Sequence, residues 1–504
     1  DDGYFQGNVY PEGPFRPEYG AQRGSVMDMP IYPGDPLTPG WGSEPGARKL
    51  DRADAETLLK IPVLPISYAD ALPLLKHLGG PVAPEDWRGA LPITYQIGPG
   101  PSTVHLKLSF DWQVRPLYNV IARIDGAEFP DQWIVHGNHH DAWVNGATDP
   151  TSGNVVLMET ARGLGQLLDQ GWRPKRTIFL ASWDGEEWGL LGSTEWAEKH
   201  KTELNANGVA YINSDSTSAG WLSAGGSHSL QWFVNELARD ISGPRSDGSV
   251  FDELKARQLE QADSLDEQLQ IENREHFPIT ALGSGSDYTV FLDHLTMASL
   301  NLGFGGESRG GVYHSKYDSF TWYTNFGDKN FKHGRALSQI MGTALLRLAD
   351  ATILPFNFID YANTMDVYVD EIEHYYNELD TNETLDLTSL RLALSELESA
   401  GEAYERRLTT ATYTSPSVIN THNNLLSELN RLIYTSERTL AYAGGLPKRA
   451  WFKHLVYAPG LYTGYGVKTL PGIREGVEEG AWDEARSYVT RVAAAVTVLA
   501  AQVD

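Results

Sequence analysis

Arg176-Thr177-Ile178-Phe179-Leu180-Ala181-Ser182 runs directly into Trp183-Asp184-Gly185-Glu186-Glu187-Trp188-Gly189. The first seven residues form a short apolar run that reads as a strand, and the next seven read as the polar loop that ends it. Working outward, similar short runs stand at Asn119–Ile124, Gln132–His136, Val209–Asn213 and Met297–Leu302. Between them Val155, Met158, Ala161, Leu164 and Leu168 recur at helical spacing, as a crossover helix covering a sheet face requires. Strands alternating with such helices predict a mostly parallel α/β sheet.

The flanks differ from this centre. Residues 1–48 hold eight Pro and nine Gly, so they predict irregular structure lying on a neighbour. Beyond Leu354-Pro355 the pattern is almost purely helical, over Thr384–Thr410, Ser417–Ala441 and Trp482–Val503, which predicts a separate helical domain.

The chain has 504 residues, 41% of them hydrophobic, with 66 Asp+Glu against 40 Lys+Arg and no cysteine. Such a chain can bury a large core, which excludes a disordered or fibrous class. A formal charge of -26 and the lack of a Lys/Arg block argue against nucleic acid as a partner. The longest apolar stretch, Val492–Ala501, is about half a membrane span, so no transmembrane segment is expected. Without cysteine, any metal is bound through the N and O atoms of His, Asp and Glu.

Those residue types collect where the predicted strands end, the place where open α/β sheets bind ligands. They form His139-His140-Asp141, Asp149-Pro150-Thr151-Ser152-Gly153, the Glu186-Glu187 loop, Asn213-Ser214-Asp215 and Tyr313-His314. Each has an ordinary explanation alone: a hydrogen-bonded pair, a solvated acidic face or a helix cap. Together at successive strand ends they fit two divalent ions held through N and O, with one carboxylate bridging.

These motifs resemble the glutamate carboxypeptidase II and transferrin receptor family of zinc peptidases. The similarity continues through Gly34-Asp35-Pro36-Leu37-Thr38-Pro39-Gly40, Leu282-Gly283-Ser284-Gly285-Ser286-Asp287, Tyr457-Ala458-Pro459 and Leu470-Pro471-Gly472-Ile473. The resemblance implies an α/β zinc-exopeptidase core of sheet and helices over residues 114–356. A partial apical, protease-associated segment is implied over 1–113 and a helical dimerisation domain over 357–504. It also implies that His139 and Asp215 hold one zinc, Glu187 and His314 the other, and that Asp149 bridges them. Asp141 is then the hydrogen-bond partner of His139, Glu186 the general base and Tyr313 the oxyanion donor. A structural calcium ion falls on Thr38, Trp41, Glu195 and Glu198, where hard oxygen ligands suit it.

The substrate pocket falls on Gly285, Ser286, Asn301, Gly303, Gly464 and Tyr465. Here the sequence departs from the glutamate-specific members, because a family lysine aligns with Gly464 and two family arginines with Asn301 and Gly303. Peptides with neutral or apolar residues beside the scissile bond are therefore expected as substrates rather than acidic dipeptides. The chain also begins inside the family's apical domain, so a second polypeptide completing the fold is an expectation. So are a homodimer and an extracellular or periplasmic location.

Three functions stand side by side: a dizinc exopeptidase, either carboxypeptidase or aminopeptidase; a non-catalytic binding protein of the transferrin receptor type; and a dizinc hydrolase of another amide. The complete set of ligand residues with Glu186 favours the enzyme.

Overall fold

The computed structural model describes residues 3–307, 310–414 and 423–504. A six-stranded sheet forms its centre: β1 (Val120–Ile124), β2 (Phe129–His139), β3 (Arg176–Trp183), β4 (Gly208–Asn213), β5 (Gly220–Gly226) and β6 (Ser299–Gly306). Their spatial order is β1-β3-β2-β4-β6-β5. The four inner strands β3, β2, β4 and β6 run parallel, and both edge strands are antiparallel to their neighbours. The order reverses at β2, so the ends of β2, β3 and β4 converge on one crevice.

The expected mostly parallel sheet is present, with one strand the reading missed. Gly220-Trp221-Leu222-Ser223-Ala224-Gly225-Gly226 forms β5 although its three glycines and a serine give no β-branched alternation. Its partner β6 supplies the register, Trp221 opposite Gly305 and Ser223 opposite Gly303.

The expected crossover helix is also present, as α1 (Ser152–Asp169), but it is rotated from the stripe read in the sequence. Val155 and Met158 are exposed, whereas Val156, Leu157, Thr160 and Leu164 face the core. A threonine inside the buried face hid that stripe. Gly153 in the first turn is obligatory for packing: a Cβ there would lie 2.0 Å from the Ser214 carbonyl oxygen and 2.3 Å from that of Asp215. The first turn of α1 is thus pressed against the loop after β4, which places Asp149 and Asp215 side by side.

Further helices cover the sheet: α2 (Leu191–Lys199), α3 (Gln231–Asp240), α4 (Val250–Gln261) and α5 (Lys332–Asp350). The helical region follows as α6 (Phe358–Glu378), α7 (Thr388–Thr414), α8 (Asn423–Thr435) and α9 (Trp482–Val503). Asn357 caps α6 by accepting a hydrogen bond from the Asp360 N–H at 2.9 Å. Two of the three expected helices correspond to α7 and α9; of the third, Ser417–Ala441, positions 417–422 lie outside the described residues, and the rest is α8 followed by a 3-10 turn over Ser436–Leu440. Among the described residues no helix is long and apolar enough to cross a membrane.

The helical region is fastened to the sheet region by a buried polar network. Glu437 accepts hydrogen bonds from Ser227 Oγ at 2.8 Å and Tyr361 OH at 3.2 Å. The His454 Nδ1 atom accepts from the Val456 N–H, which leaves Nε2 as the nitrogen that carries a proton toward Glu437, 3.3 Å away. A fully satisfied network of this kind holds one packing arrangement in preference to others.

Candidate metal centre

Each strand end delivers one side chain to the crevice. His139 ends β2, Glu186 and Glu187 follow β3, Asp215 follows β4, and Asp149 sits at the turn into α1. His314 arrives from the loop after β6 with a positive φ of 53°. The His139 Nε2 atom lies 2.9 Å from Asp215 Oδ1 and 3.3 Å from Asp149 Oδ1. The other oxygen of Asp149 is 3.3 Å from His314 Nε2, which is 3.0 Å from Glu187 Oε2. Two triads, His139-Asp149-Asp215 and Asp149-Glu187-His314, therefore share Asp149, the residue expected to bridge.

Two observations test whether metal ions suit this set. Asp149 Oδ1 and Asp215 Oδ1 are buried and accept no hydrogen bond although both face an imidazole nitrogen. Orphaned carboxylate oxygens of that kind are costly unless a cation takes them. The donor set of two imidazoles and three carboxylates, with neither thiolate nor amide, also matches N/O coordination of zinc. The residues fit a pair of divalent ions.

The charges around each group set the direction in which it shifts. Burial would push the His139 imidazole down, but Glu186, Asp141, Asp149 and Asp215 around it raise it well above its ordinary value. His314 is raised to about 9 in the same way, Asp149 and Glu187 outweighing its burial. Asp149 falls far below the usual carboxylate range: burial opposes this, and the two histidines overcome it. Glu186 is pushed well above its ordinary value by burial and then by nearby carboxylates. Buried acidic groups packed this closely around two imidazoles suit a divalent cation.

Several supporting contacts were not foreseen. The Asp141 carboxylate accepts the backbone N–H groups of Glu186 and Glu187 at 3.0 and 3.1 Å, so it fixes the Glu186–Glu187 loop as much as the imidazole. His139 Nδ1 lies 3.1 Å from the Asp141 main-chain oxygen and 3.4 Å from its carboxylate. The Asp318 carboxylate receives the Asp149 N–H at 3.1 Å and the Thr148 N–H at 2.8 Å, orienting the shared ligand. Its only sequence signal is an Asp four residues after His314. The irregular segment before residue 48 joins the site directly: the His314 N–H side faces Arg23, whose main-chain oxygen lies 3.0 Å from His314 Nδ1, and Ser25 Oγ donates to the Glu187 carbonyl at 2.5 Å.

Of the expected pocket residues, Gly285 and Tyr465 border the metal centre with Tyr313, whose ring stacks on His314 at 3.6 Å. Ser286 does not: it is buried and accepts the Asn213 side-chain N–H at 2.8 Å, so it braces β4 instead of meeting a ligand. Gly464 is at an exposed turn with open space around it. Asn301 and Gly303 lie on β6, against a different cavity that touches Asp215.

The expected calcium residues are brought together where the loop Asp35–Ser43 meets α2. Glu195 accepts from Asp35 N at 2.7 Å, Thr38 Oγ1 at 3.0 Å and Ser43 N at 2.6 Å. The Glu198 Oε1 atom accepts from Gly40 N and Trp451 Nε1, while Oε2 is buried without a partner. Trp41 lies on that loop, its indole donating to the Arg48 carbonyl. Burial raises Glu195 to about 8 and Glu198 to about 7.

Residues 119–331 match Peptidase family M28, and residues 385–504 match the transferrin receptor-like dimerisation domain. A protein of Arabidopsis thaliana named "Probable glutamate carboxypeptidase LAMP1" is 33% identical over 97% of this chain and 67% of its own length. Aminopeptidase NAALADL1 of Rattus norvegicus is 32% identical over 91% of this chain and 61% of its own length. The solved structure of a zinc aminopeptidase from Bacillus subtilis aligns with 46% of this chain and 50% of that one, at 19% identity and a TM-score of 0.33. The chain thus spans about two thirds of the length of the curated relatives it matches. With the sheet, the shared-carboxylate site and the C-terminal helices all in place, the chain belongs to the glutamate carboxypeptidase II and transferrin receptor-like family of metallopeptidases.

Proposed function

We propose that this chain carries the catalytic centre of a dizinc exopeptidase that hydrolyses small peptides. The observation that carries the reading is the pair of triads joined through Asp149 with Glu186 beside them and outside both. His139 with Asp215 and Glu187 with His314, together with the shared Asp149, would hold two zinc ions, which would supply Lewis acidity at the crevice when bound.

The remaining work belongs to the protein. Glu186 Oε2 lies 3.7 Å from His139 Nε2 and points into the crevice without being needed as a ligand. As general base it takes a proton from the attacking water and returns it to the leaving amine. Asp141 holds the backbone of that loop, so the carboxylate stays aimed. Tyr313, whose phenol is protonated at neutral pH, donates to the oxygen that gains charge as the carbonyl is attacked.

The same reading includes a structural calcium ion at Thr38, Trp41, Glu195 and Glu198. The domain division at 113/114 and 356/357 and a homodimer through the helical domain also belong to it, as do secretion and a preference for neutral or apolar peptides. The enzyme is tested by metal analysis of unchelated protein and by mass spectrometry of products from a defined peptide mixture. Two zinc ions per chain and trimming of peptides from one end are expected; protein without zinc, or with zinc but no peptide turnover, would refute it.

A further inference from the structure

One face of α6 lines a cavity of about 660 Å³ where the helical region meets the sheet region. A junction of this kind is a usual place for a ligand pocket, and the volume is within the usual range, ~300–1,000 Å³. Asp360, Thr364, Val367 and Glu371 recur on that face at helical spacing, so the cavity is a trough along three turns of the helix. From Asp360 to Glu371 the helix advances about 16 Å. The facing wall comes from residues 278–281 and from Val467–Thr469, the second strand of a short antiparallel hairpin with Tyr457–Pro459. Ile279, Ala281, Val367 and Val467 make the middle of the trough apolar.

Each end of the trough keeps one polar atom open. At one end Asp360 Oδ2 is buried and accepts no hydrogen bond. At the other, Arg474 Nε donates to the Thr469 carbonyl at 3.0 Å, and Nη2 donates to Thr469 Oγ1 at 2.8 Å and Glu371 Oε2 at 2.6 Å. Those bonds fix the guanidinium, and its Nη1 has no partner among the described residues. Lys468 is neutralised by Glu478, meeting both of its oxygens at 2.7 Å. The trough thus offers an acceptor at one end and a donor at the other, with apolar surface between them. A peptide of three or four residues spans ~10–14 Å when extended, which leaves room for a hydrogen bond at each end.

We propose that this trough is a second peptide site, separate from the metal centre, which holds a short extended peptide by its ammonium group on Asp360 and its terminal carboxylate on Arg474. The site is joined to the centre through both halves of its facing wall. Val467 stands two residues after Tyr465 and Ala281 four before Gly285, and Tyr465 and Gly285 border the centre. The Ser284 N–H donates to the Tyr465 carbonyl at 3.1 Å, and a Cβ on Gly283 would lie 2.5 Å from that same oxygen. Segments packed this closely shift together, so a peptide seated between them and α6 bears on the centre. Only this effect on turnover rests on the peptidase reading; binding stands apart from it.

The test titrates Leu-Ala-Leu by calorimetry into the zinc-loaded full chain carrying Glu186→Gln, so that the peptide stays intact. Two peptides per chain are expected, one at the metal centre and one in the trough. Adding Asp360→Asn should weaken one of them about tenfold or more, the worth of a charge-assisted hydrogen bond, and leave the other unmoved. Val367→Arg, at an exposed position where the fold tolerates it, should remove the same peptide by placing a charge in the apolar middle of the trough. In otherwise wild-type enzyme, peptide turnover should depart from a single hyperbola, and with Asp360→Asn it should follow one. If neither substitution weakens any bound peptide, the site is overturned. Binding in the trough beside wild-type rates that follow a single hyperbola overturns its link to the centre. A chain that binds peptide in the trough and cleaves none overturns the peptidase reading and upholds the site.

Discussion

Two pairs of glutamates sit nine residues apart on the same loop and helix, and they meet different surroundings. Around Glu186 and Glu187 the neighbours are imidazole nitrogens and other carboxylates, and two ligand oxygens accept no hydrogen bond. Around Glu195 and Glu198 the neighbours are hydrogen-bond donors on the loop Asp35–Ser43 and Trp451, and a single oxygen is left over. Burial alone does not tell the pairs apart, since it raises Glu186 and Glu195 alike. What separates them is the company they keep: beside the first pair Asp149 and Asp215 each hold a buried oxygen that accepts no hydrogen bond, while the second pair faces N–H and O–H donors with one Glu198 oxygen left over. The first pair borders carboxylates that a cation would satisfy, and the second is largely satisfied by the fold.

The largest effects should follow from changes at and beside the first pair. Asp149→Ala deletes the ligand shared by both triads, so both metal ions should be lost and peptide turnover should fall below detection; metal content by mass spectrometry and single-turnover assays check this. Glu186→Gln leaves both triads intact. It should keep both ions and lower kcat by about 10²- to 10⁴-fold, the usual worth of a positioned proton carrier. A Glu186→Gln enzyme with unaltered kcat would break the division of labour between the adjacent carboxylates.

Changes at the second pair should affect stability in preference to chemistry. Glu195→Ala strands the Asp35 and Ser43 N–H groups and the Thr38 hydroxyl, at about 1–3 kcal/mol for each donor that stays buried. A fall in Tm of several degrees is expected, with the zinc content kept at two per chain. Added calcium should raise the Tm of the wild type and not that of the variant. Were Glu195→Ala to lose zinc, the two pairs would prove to be one coupled site.

Much of this was legible in the sequence because metal chemistry restricts residue choice so tightly. His139, Glu186, Glu187 and Asp215 stand at or just after strand ends that the apolar runs predict, whereas the places of Asp149 and His314, and the part each candidate ligand plays, came from the family resemblance. The supporting shell was not legible. Ser25 and Arg23 reach the site from 162 and 291 residues away in the chain, and nothing local marks a Gly/Pro-rich loop for a particular destination. Asp318 acts through two backbone N–H groups, a role any acceptor of the right reach could fill. The place of Ser286 was hidden for a related reason: its hydroxyl accepts from Asn213, a contact between β4 and a loop that only the fold brings together.

The smallest effect concerns the pH background against which both pairs must be read. His228 is buried between Tyr361, Tyr368 and Tyr457, and burial lowers it to about 3 from an ordinary 6.5. Between those values the unfolded chain binds a proton that the folded chain does not, so stability falls as the pH drops from 6.5 toward 3, by about 1.4 kcal/mol per pH unit for a single group. His294, also near 3, and His136, near 4, act in the same direction and for the same reason. Glu195 and Glu198 act oppositely in cation-free protein. Their folded values of about 8 and 7 lie above the ordinary 4.5, so their contribution to stability is lost as the pH rises through the interval from 4.5 to 8. Chelated protein should therefore be most stable between these two limbs, and the limbs can be separated. His228→Gln should flatten the acid limb of a urea-unfolding series by part of one group's slope, with the alkaline limb unmoved, and calcium should lift only the alkaline limb. An acid limb that responds to calcium as strongly as the alkaline one would mean that the glutamates, and not the buried histidines, set the acid stability.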